Sequence, residues 1–437
     1  MADMAGHGGR HGHGHRSRGV DEHIAAIQGV IERSRWSDRA TEEVALEDAA
    51  GRVLAEELTA PIPLPRFDDS QMDGYAVRAA DTHSDGGQDD SAQKESGQRG
   101  GADPGLVELL VAVTGAAGHE PAPLAPGTAA PVMTGAPIPS GADAVVPVEE
   151  AAPSQFLAEG ATVRVPSGQP SGRFVRPAGS DVARGGSVLP PGMILSPVAI
   201  GAIAALGLQR VRVRPRLRVG ILTTGDEVVE PGQQPSAAQV HNANAALLCA
   251  QLVRLGCRVT AVRHVIDDDE QLRTLLSSSD FEAPDVWVSS GGISEGAFEV
   301  VRRVLSAEPD SEFLHVAMQP GGPQGLAMIE GTAVVCLPGN PVSTWVSAEA
   351  LLRPALAAAG AGPEAPRAIT AECAEDLERL PGRTRIIRAR WDGHRAHRLG
   401  GYSSHLLASA AAADALIVLE PGEGSVPAGE PVEVRLL

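Results

Sequence analysis

Residues 218–227 read Arg218-Val219-Gly220-Ile221-Leu222-Thr223-Thr224-Gly225-Asp226-Glu227. An apolar run of strand length ends in a polar loop with a glycine. The same pairing recurs downstream. Residues 258–266 read as a strand that ends in Asp267-Asp268-Asp269. Residues 285–290 form another, followed by Gly291-Gly292-Ile293-Ser294. Residues 333–337 lead into Pro338-Gly339-Asn340-Pro341-Val342-Ser343, and 313–318 is one more strand. Helical periodicity fills the gaps at 245–255, 270–277, 299–305 and 342–358. Strands alternating with helices predict a doubly wound α/β domain, with a parallel sheet covered on both faces.

Outward from this domain the texture changes. Residues 21–58 read as helical, with Ile24, Ile27, Val30 and Ile31 on one face. Pro61, Pro63 and Pro65 then force an extended run. Residues 81–103 are acid-rich and of low complexity, which predicts a surface loop. From 106 to 213, short apolar runs between Gly and Pro predict β-rich structure. Arg210, Arg212, Arg214, Arg216 and Arg218 alternate with other residues there. They read as the exposed face of a strand rather than an anion-binding stripe. Residues 363–437 fit a small β-barrel. Residues 1–18, with His7, His11, His13 and His15, read as a disordered tail rather than a metal site.

The chain has 437 residues and a net charge of −19. A surface this acidic argues against nucleic acid and anionic lipid as partners, because phosphates need a basic face. Cys249, Cys257, Cys336 and Cys373 form no C-x-x-C pair and read as free thiols in a reducing cytoplasm. No apolar run approaches the ~20 residues of a membrane span, and no signal-peptide segment opens the chain. A soluble cytoplasmic protein is expected.

In an open parallel sheet, ligands bind beyond the carboxyl ends of the strands. The polar loops above fall there. Gly291 and Gly292 let backbone N–H groups approach a phosphate or a pterin edge. Ser343 stands near a helix start, where it can cap the helix or meet an anion. Asp226, Glu227 and Asp267 are hard oxygen ligands suited to Mg²⁺. Neither G-x-G-x-x-G nor a Walker P-loop occurs in these loops, which disfavours NAD and ATPase chemistry. A phosphate-plus-metal site is expected.

Further segments carry a resemblance. They are Pro65-Arg66-Phe67-Asp68-Asp69-Ser70-Gln71-Met72-Asp73-Gly74-Tyr75-Ala76, Thr134-Gly135-Ala136 with Gly141-Ala142-Asp143, and the set Arg176, Gly179, Asp181, Gly185. Thr224-Gly225-Asp226-Glu227, Ser290-Gly291-Gly292, Pro338-Gly339-Asn340-Pro341 and Ser404-His405 complete it. Together they resemble the molybdopterin molybdenumtransferases, the family of the bacterial MoeA proteins and the gephyrin E domain.

The resemblance implies an elongated α+β domain in two segments, 19–60 and 165–214. A β-rich domain, 61–164, would be inserted between them. The doubly wound molybdopterin-binding domain would be 215–362 and the barrel 363–437. It implies a homodimer that inserts molybdate into adenylylated molybdopterin and releases AMP, with Mg²⁺. A molybdopterin adenylyltransferase or apo-molybdoenzymes would be further partners. Asp73, Asp181, Glu227, Asp267 and Glu299 would be the functional acids. Thr134, Thr224, Gly225, Ser290, Gly291 and Gly292 would bind substrate. So would Pro338, Gly339, Asn340, Pro341, Ser343 and Ser404. Arg383 and Arg388 would bind molybdate, because a guanidinium presents paired donors.

The chain departs from the family pattern in two places. Three family lysines are replaced by His315, Gln319 and Gly322, which fall at the same substrate site. The D-[ST]-N segment becomes Asn242-Ala243-Asn244, losing a carboxylate. Two alternatives follow: a non-catalytic pterin-binding scaffold, or an adenylyltransferase of the same fold. The adenylylating relatives look like the doubly wound domain alone, which disfavours the second.

Overall fold

The computed structural model describes residues 17–83, 105–112, 118, 120–266, 268–277, 283–293, 299–362 and 365–437. Most of the His-rich tail, nearly all of the 81–103 loop, and Asp267 lie outside these residues. The chain forms two compact units. The first holds the described residues of Met1–Glu56, Gly192–Pro197 and Arg210–Leu437. The second holds those of Glu57–Pro191 and Val198–Gln209.

A seven-stranded sheet organises the first unit. Its order is Ser17–Arg18, Glu312–Val316, Pro323–Ile329, Thr332–Leu337, Val286–Ser290, Arg218–Thr224 and Arg258–Val265. The last four strands are parallel to one another. Their side chains alternate between two cores, as a period of two requires. Val219, Ile221, Val288 and Val335 face one core, which Leu248, Leu252, Val346 and Leu356 complete from helices. Leu222, Trp287 and Val334 face the other, with Leu272, Leu276 and Val304. Helices therefore cover both faces, and the doubly wound expectation holds.

Three local features differ from the sequence reading. Pro323–Ile329 is an added strand, antiparallel to both of its neighbours. The helix at the start of the chain ends at Glu32, not near residue 58. Glu42–Ala45 is instead a strand paired with Arg210–Val213, so long-range pairing overrides helical spacing. The helix from Pro341 widens into a π-turn at Ala348–Leu352 before it resumes at Arg353–Ala359. Pro354 lacks the N–H that a regular turn needs there.

The first two arginines of the stripe, Arg210 and Arg212, form a solvated strand face, as read, and the reading does not extend to Arg214 and Arg218. Val211 and Val213 are buried between exposed Arg210 and Arg212. Those arginines pair with Glu43 and Glu56. Arg214 is half-buried and donates to the Ala359 carbonyl, and Arg218 pairs with fully buried Asp285 at 2.8 Å.

Five strands of the C-terminal region close into a barrel: Ala368–Cys373, Thr384–Trp391, Arg395–Arg398, Ala415–Leu419 and Pro431–Leu436. A short strand, Met318–Gln319, pairs with Thr384–Trp391 and ties the barrel to the large sheet.

The second unit holds a five-stranded sheet: Ala144–Pro147, Gly74–Val77, Thr128–Val132, Leu106–Val111 and Thr162–Pro166. Tyr75, Val146 and Val163 are among its core residues. Gly74 is required there, because a Cβ would sit 2.1 Å from the Val146 carbonyl oxygen. All four cysteines are unpaired, and burial pushes Cys257 and Cys336 up to about 12. Among the described residues, no helix is long and apolar enough to cross a membrane.

Candidate active site

Three loops leave the carboxyl ends of adjacent parallel strands and pack backbone against backbone. Gly225, Gly291 and Gly292 take φ of +131°, +97° and +68°, values that favour glycine. A Cβ on Gly339 would lie 3.3 Å from Gly291 Cα, and one on Gly291 would lie 3.1 Å from Thr224 Oγ1. The close approach leaves a cavity of about 1110 Å³ beside the loops. Thr224, Gly225, Ser290, Gly291 and Gly292 line it. Pro338, Gly339, Asn340, Pro341 and Ser343 continue the same wall.

A polar network fixes these loops. Asn244 Nδ2 donates to Ser290 Oγ at 2.8 Å and to the Gly339 carbonyl at 2.6 Å. Ser290 Oγ donates to the Pro338 carbonyl at 3.1 Å, and Thr344 Oγ1 donates to it at 2.6 Å. Asn242 Oδ1 accepts from Ala245 N and so caps the helix Ala243–Arg254. Its amide also donates to Thr223 Oγ1 at 2.9 Å. Sequence reasoning saw in these asparagines only a lost carboxylate. Their signal was the helix start that immediately follows a polar loop. Ser290 hydroxyl is occupied by this network, so its side chain braces the loop. Ser343 is buried, and no side-chain cap is made at that helix start.

The predicted acids separate. Glu227 lines the cavity, and its carboxylate lies over Gly225. Asp226 is exposed and is not part of the lining. Glu299 lines the cavity just ahead of the helix Val300–Leu305. Among the described residues, no three His, Cys, Asp or Glu side chains gather to hold a metal.

The far wall mixes the large sheet with the barrel. His315, Gln319 and Gly322 line it, as do Arg383, Tyr402 and Ser404. Arg388 does not. It is 4% exposed and donates to the Ser403 carbonyl at 3.0 Å and to the Gly401 carbonyl. Burial holds its pKa below the ordinary arginine value. The expectation that Arg388 meets substrate directly is thus corrected: it braces the loop that carries Ser403 and Ser404. Tyr402 was missed altogether, since a lone tyrosine in a glycine-rich loop carries no sequence signal.

Asp73, Thr134 and Asp181 belong to the second unit. Asp73 Oδ1 accepts from Thr134 N at 2.7 Å and from Thr134 Oγ1 at 2.8 Å. Those bonds hold its carboxyl below the usual range. Asp181 is exposed, and its N–H donates to the Leu64 carbonyl.

Glycine loops at the ends of parallel strands, with a barrel closing the wall, agree with three family models in chain order. The MoeA N-terminal region (domain I and II) matches residues 18–207. A probable molybdopterin binding domain matches 220–358, and the MoeA C-terminal region (domain IV) matches 370–437. The chain belongs to the molybdopterin molybdenumtransferase family. Molybdopterin molybdenumtransferase 2 of Mycobacterium tuberculosis is 36% identical over 431 residues, covering 95% of this chain and 99% of that one. Molybdopterin molybdenumtransferase of Synechococcus elongatus is 34% identical over 423 residues, covering 94% and 98%. Among solved structures, the molybdopterin biosynthesis moeA protein from Pyrococcus horikosii superposes with a TM-score of 0.74 at 27% identity. That likeness covers 96% of this chain and 99% of that one. Molybdenumtransferase relatives thus match all three regions of this chain.

Proposed function

We propose that this chain inserts molybdate into adenylylated molybdopterin and releases AMP. The observation that carries this is the cavity of about 1110 Å³ walled by three glycine loops. Its size suits a ligand of dinucleotide bulk. Gly291 N donates to the Leu337 carbonyl at 3.2 Å and so fixes the loop, while backbone N–H groups at Gly292 and Gly339 can meet phosphate oxygens without interference from a side chain. Arg383 and Ser404 stand on the opposite wall, where paired donors and a hydroxyl suit a tetrahedral oxyanion. The pterin's two thiols bond molybdenum while one molybdate oxygen leaves with their protons as water; water opens the phosphoanhydride, AMP leaves, and the pterin keeps its own phosphate.

Mg²⁺ fits this donor set in a limited way. Glu227 offers one hard carboxylate, and Mg²⁺ bound to substrate phosphates needs only one or two from the protein. When bound, the ion would neutralise phosphate charge. Asp226 and Asp267 belong to the same proposal, as do the homodimer and a cytoplasmic location. So do Asp73, Thr134 and Asp181 as residues of the second unit, and the division of the chain into a tail and four domains. Family resemblance supports these.

The test supplies adenylylated molybdopterin, molybdate and Mg²⁺, and follows AMP. Release that requires molybdate supports the proposal. Tight pterin binding without release selects the scaffold alternative. One observation favours that alternative: Arg383 is the only permanently cationic side chain among the described lining residues.

A further inference from the structure

Among the described lining residues, Glu227 and Glu299 stand against one permanent cation, Arg383, and Gln319 and Gly322 add no charge. An oxyanion held there needs more positive charge close by. Such charge lies one layer behind the wall. Gln319 stands in register with Arg385 in a parallel strand pair. Registered residues on adjacent strands share a face of the sheet and stand ~4.8 Å apart.

Arg385 is 7% exposed. Its guanidinium lies 4.1 Å from the ring centroid of Tyr402, which lines the cavity. Arg398 lies 5.0 Å from the same centroid. The Tyr402 hydroxyl accepts from Glu378 N at 3.2 Å, which fixes the ring. The Arg385 guanidinium reaches the Glu378 carboxylate only at 3.4 Å, and that carboxylate is 71% exposed. Water therefore screens this partner strongly. Arg385 Nε is buried without a hydrogen-bond partner. The result is a buried, incompletely neutralised cation behind an aromatic wall, where little water weakens its field.

We infer that Arg385, acting through Tyr402, supplies the positive charge on the Gln319 side of the cavity. It is a positioning residue for the molybdate oxyanion, and this rests on the function proposed above. Tyr402 transmits the charge by keeping the guanidinium fixed at the wall.

The test titrates molybdate into the full chain by calorimetry and also measures AMP release. Arg385→Gln should weaken molybdate binding about tenfold, with the unfolding midpoint kept, since one nearby charge is lost. Arg385→Lys should recover part of that loss, because the charge is retained while the guanidinium plane stacked on Tyr402 is not. Adding Gln319→Lys to Arg385→Gln should restore binding to within about threefold. Unchanged affinity in Arg385→Gln, or a loss that neither lysine recovers, overturns the inference. If Arg385→Gln does not fold, the exposed variant Glu378→Gln decides. It should tighten molybdate binding about twofold, and unchanged or weaker binding overturns the inference. A parent chain that binds molybdate but releases no AMP would instead count against the proposed function.

Discussion

Asn244 Nδ2 donates to Ser290 Oγ at 2.8 Å and joins the helix Ala243–Arg254 to the loop of Gly291 and Gly292. The same amide holds the Gly339 carbonyl. One side chain thus joins two of the glycine loops that line the cavity. Asn244→Ala should raise KM for adenylylated molybdopterin about tenfold, the scale of one to two lost hydrogen bonds. The thermal midpoint should move by only a few degrees. Steady-state kinetics beside a melting curve would check this. An unchanged KM would show that the loops hold their spacing without Asn244.

Gly292 tests the loop backbone itself. Its φ is +68°, and a Cβ there would lie 2.8 Å from Val301 Cγ2. Gly292→Ala should lower kcat/KM at least about tenfold, because strain of about 1–3 kcal/mol displaces the loop. Wild-type kcat/KM in that variant would mean that the Gly292 loop does not approach the substrate.

His23 predicts an acid-sensitive fold. It is fully buried, and both ring nitrogens lack a hydrogen-bond partner. Burial, then the Arg18 charge, lowers its pKa from 6.5 to about 4. The unfolded chain takes up this proton near 6.5, and the folded chain only near 4. The stability from a neutral His23 is therefore complete above 6.5. It falls as pH drops through that value, and the loss levels off below about 4. Between pH 7.5 and 5 it should amount to about 2 kcal/mol. Urea unfolding at both pH values should show that loss in the parent and a smaller one in His23→Leu. Equal losses in both would place the acid sensitivity elsewhere.

Asp285 closes the opposite ends of the same strands. It is fully buried, 2.8 Å from Arg218 Nη2 and 3.3 Å from Arg39 Nη1. Asp285→Ala leaves two guanidiniums without their shared carboxylate. It should cost about 3 kcal/mol, the low end for a broken buried pair, because both arginines keep some water. Chemical denaturation would measure this. A cost below about 1 kcal/mol would show that the arginines find other partners.

Much of this architecture was legible in the sequence, and the reasons are local. Val219, Ile221 and Leu222 form an apolar run that only a sheet covered on both faces can bury. Gly291, Gly292 and Gly339 marked the loops, because glycine alone permits their close approach. What was not legible depends on distant partners. Pro323–Ile329 is as apolar as its neighbours, and nothing in such a run records its direction. Val44 reads equally as helix or strand until Val211 pairs with it. Arg383, Arg385 and Arg388 lie within one short stretch of barrel. Their side chains reach the cavity, the Tyr402 ring and the Ser403 carbonyl respectively. Only the closed barrel decides which does what.

The proposed function makes AMP release and metal insertion one coupled event. The direct measurement is the ratio of AMP released to molybdenum retained on the pterin, with molybdate varied at fixed adenylylated molybdopterin and Mg²⁺. Coupling requires a ratio near one that holds at every molybdate concentration, with no AMP in its absence. AMP released at the same rate without molybdate, or molybdenum retained without AMP, would contradict it.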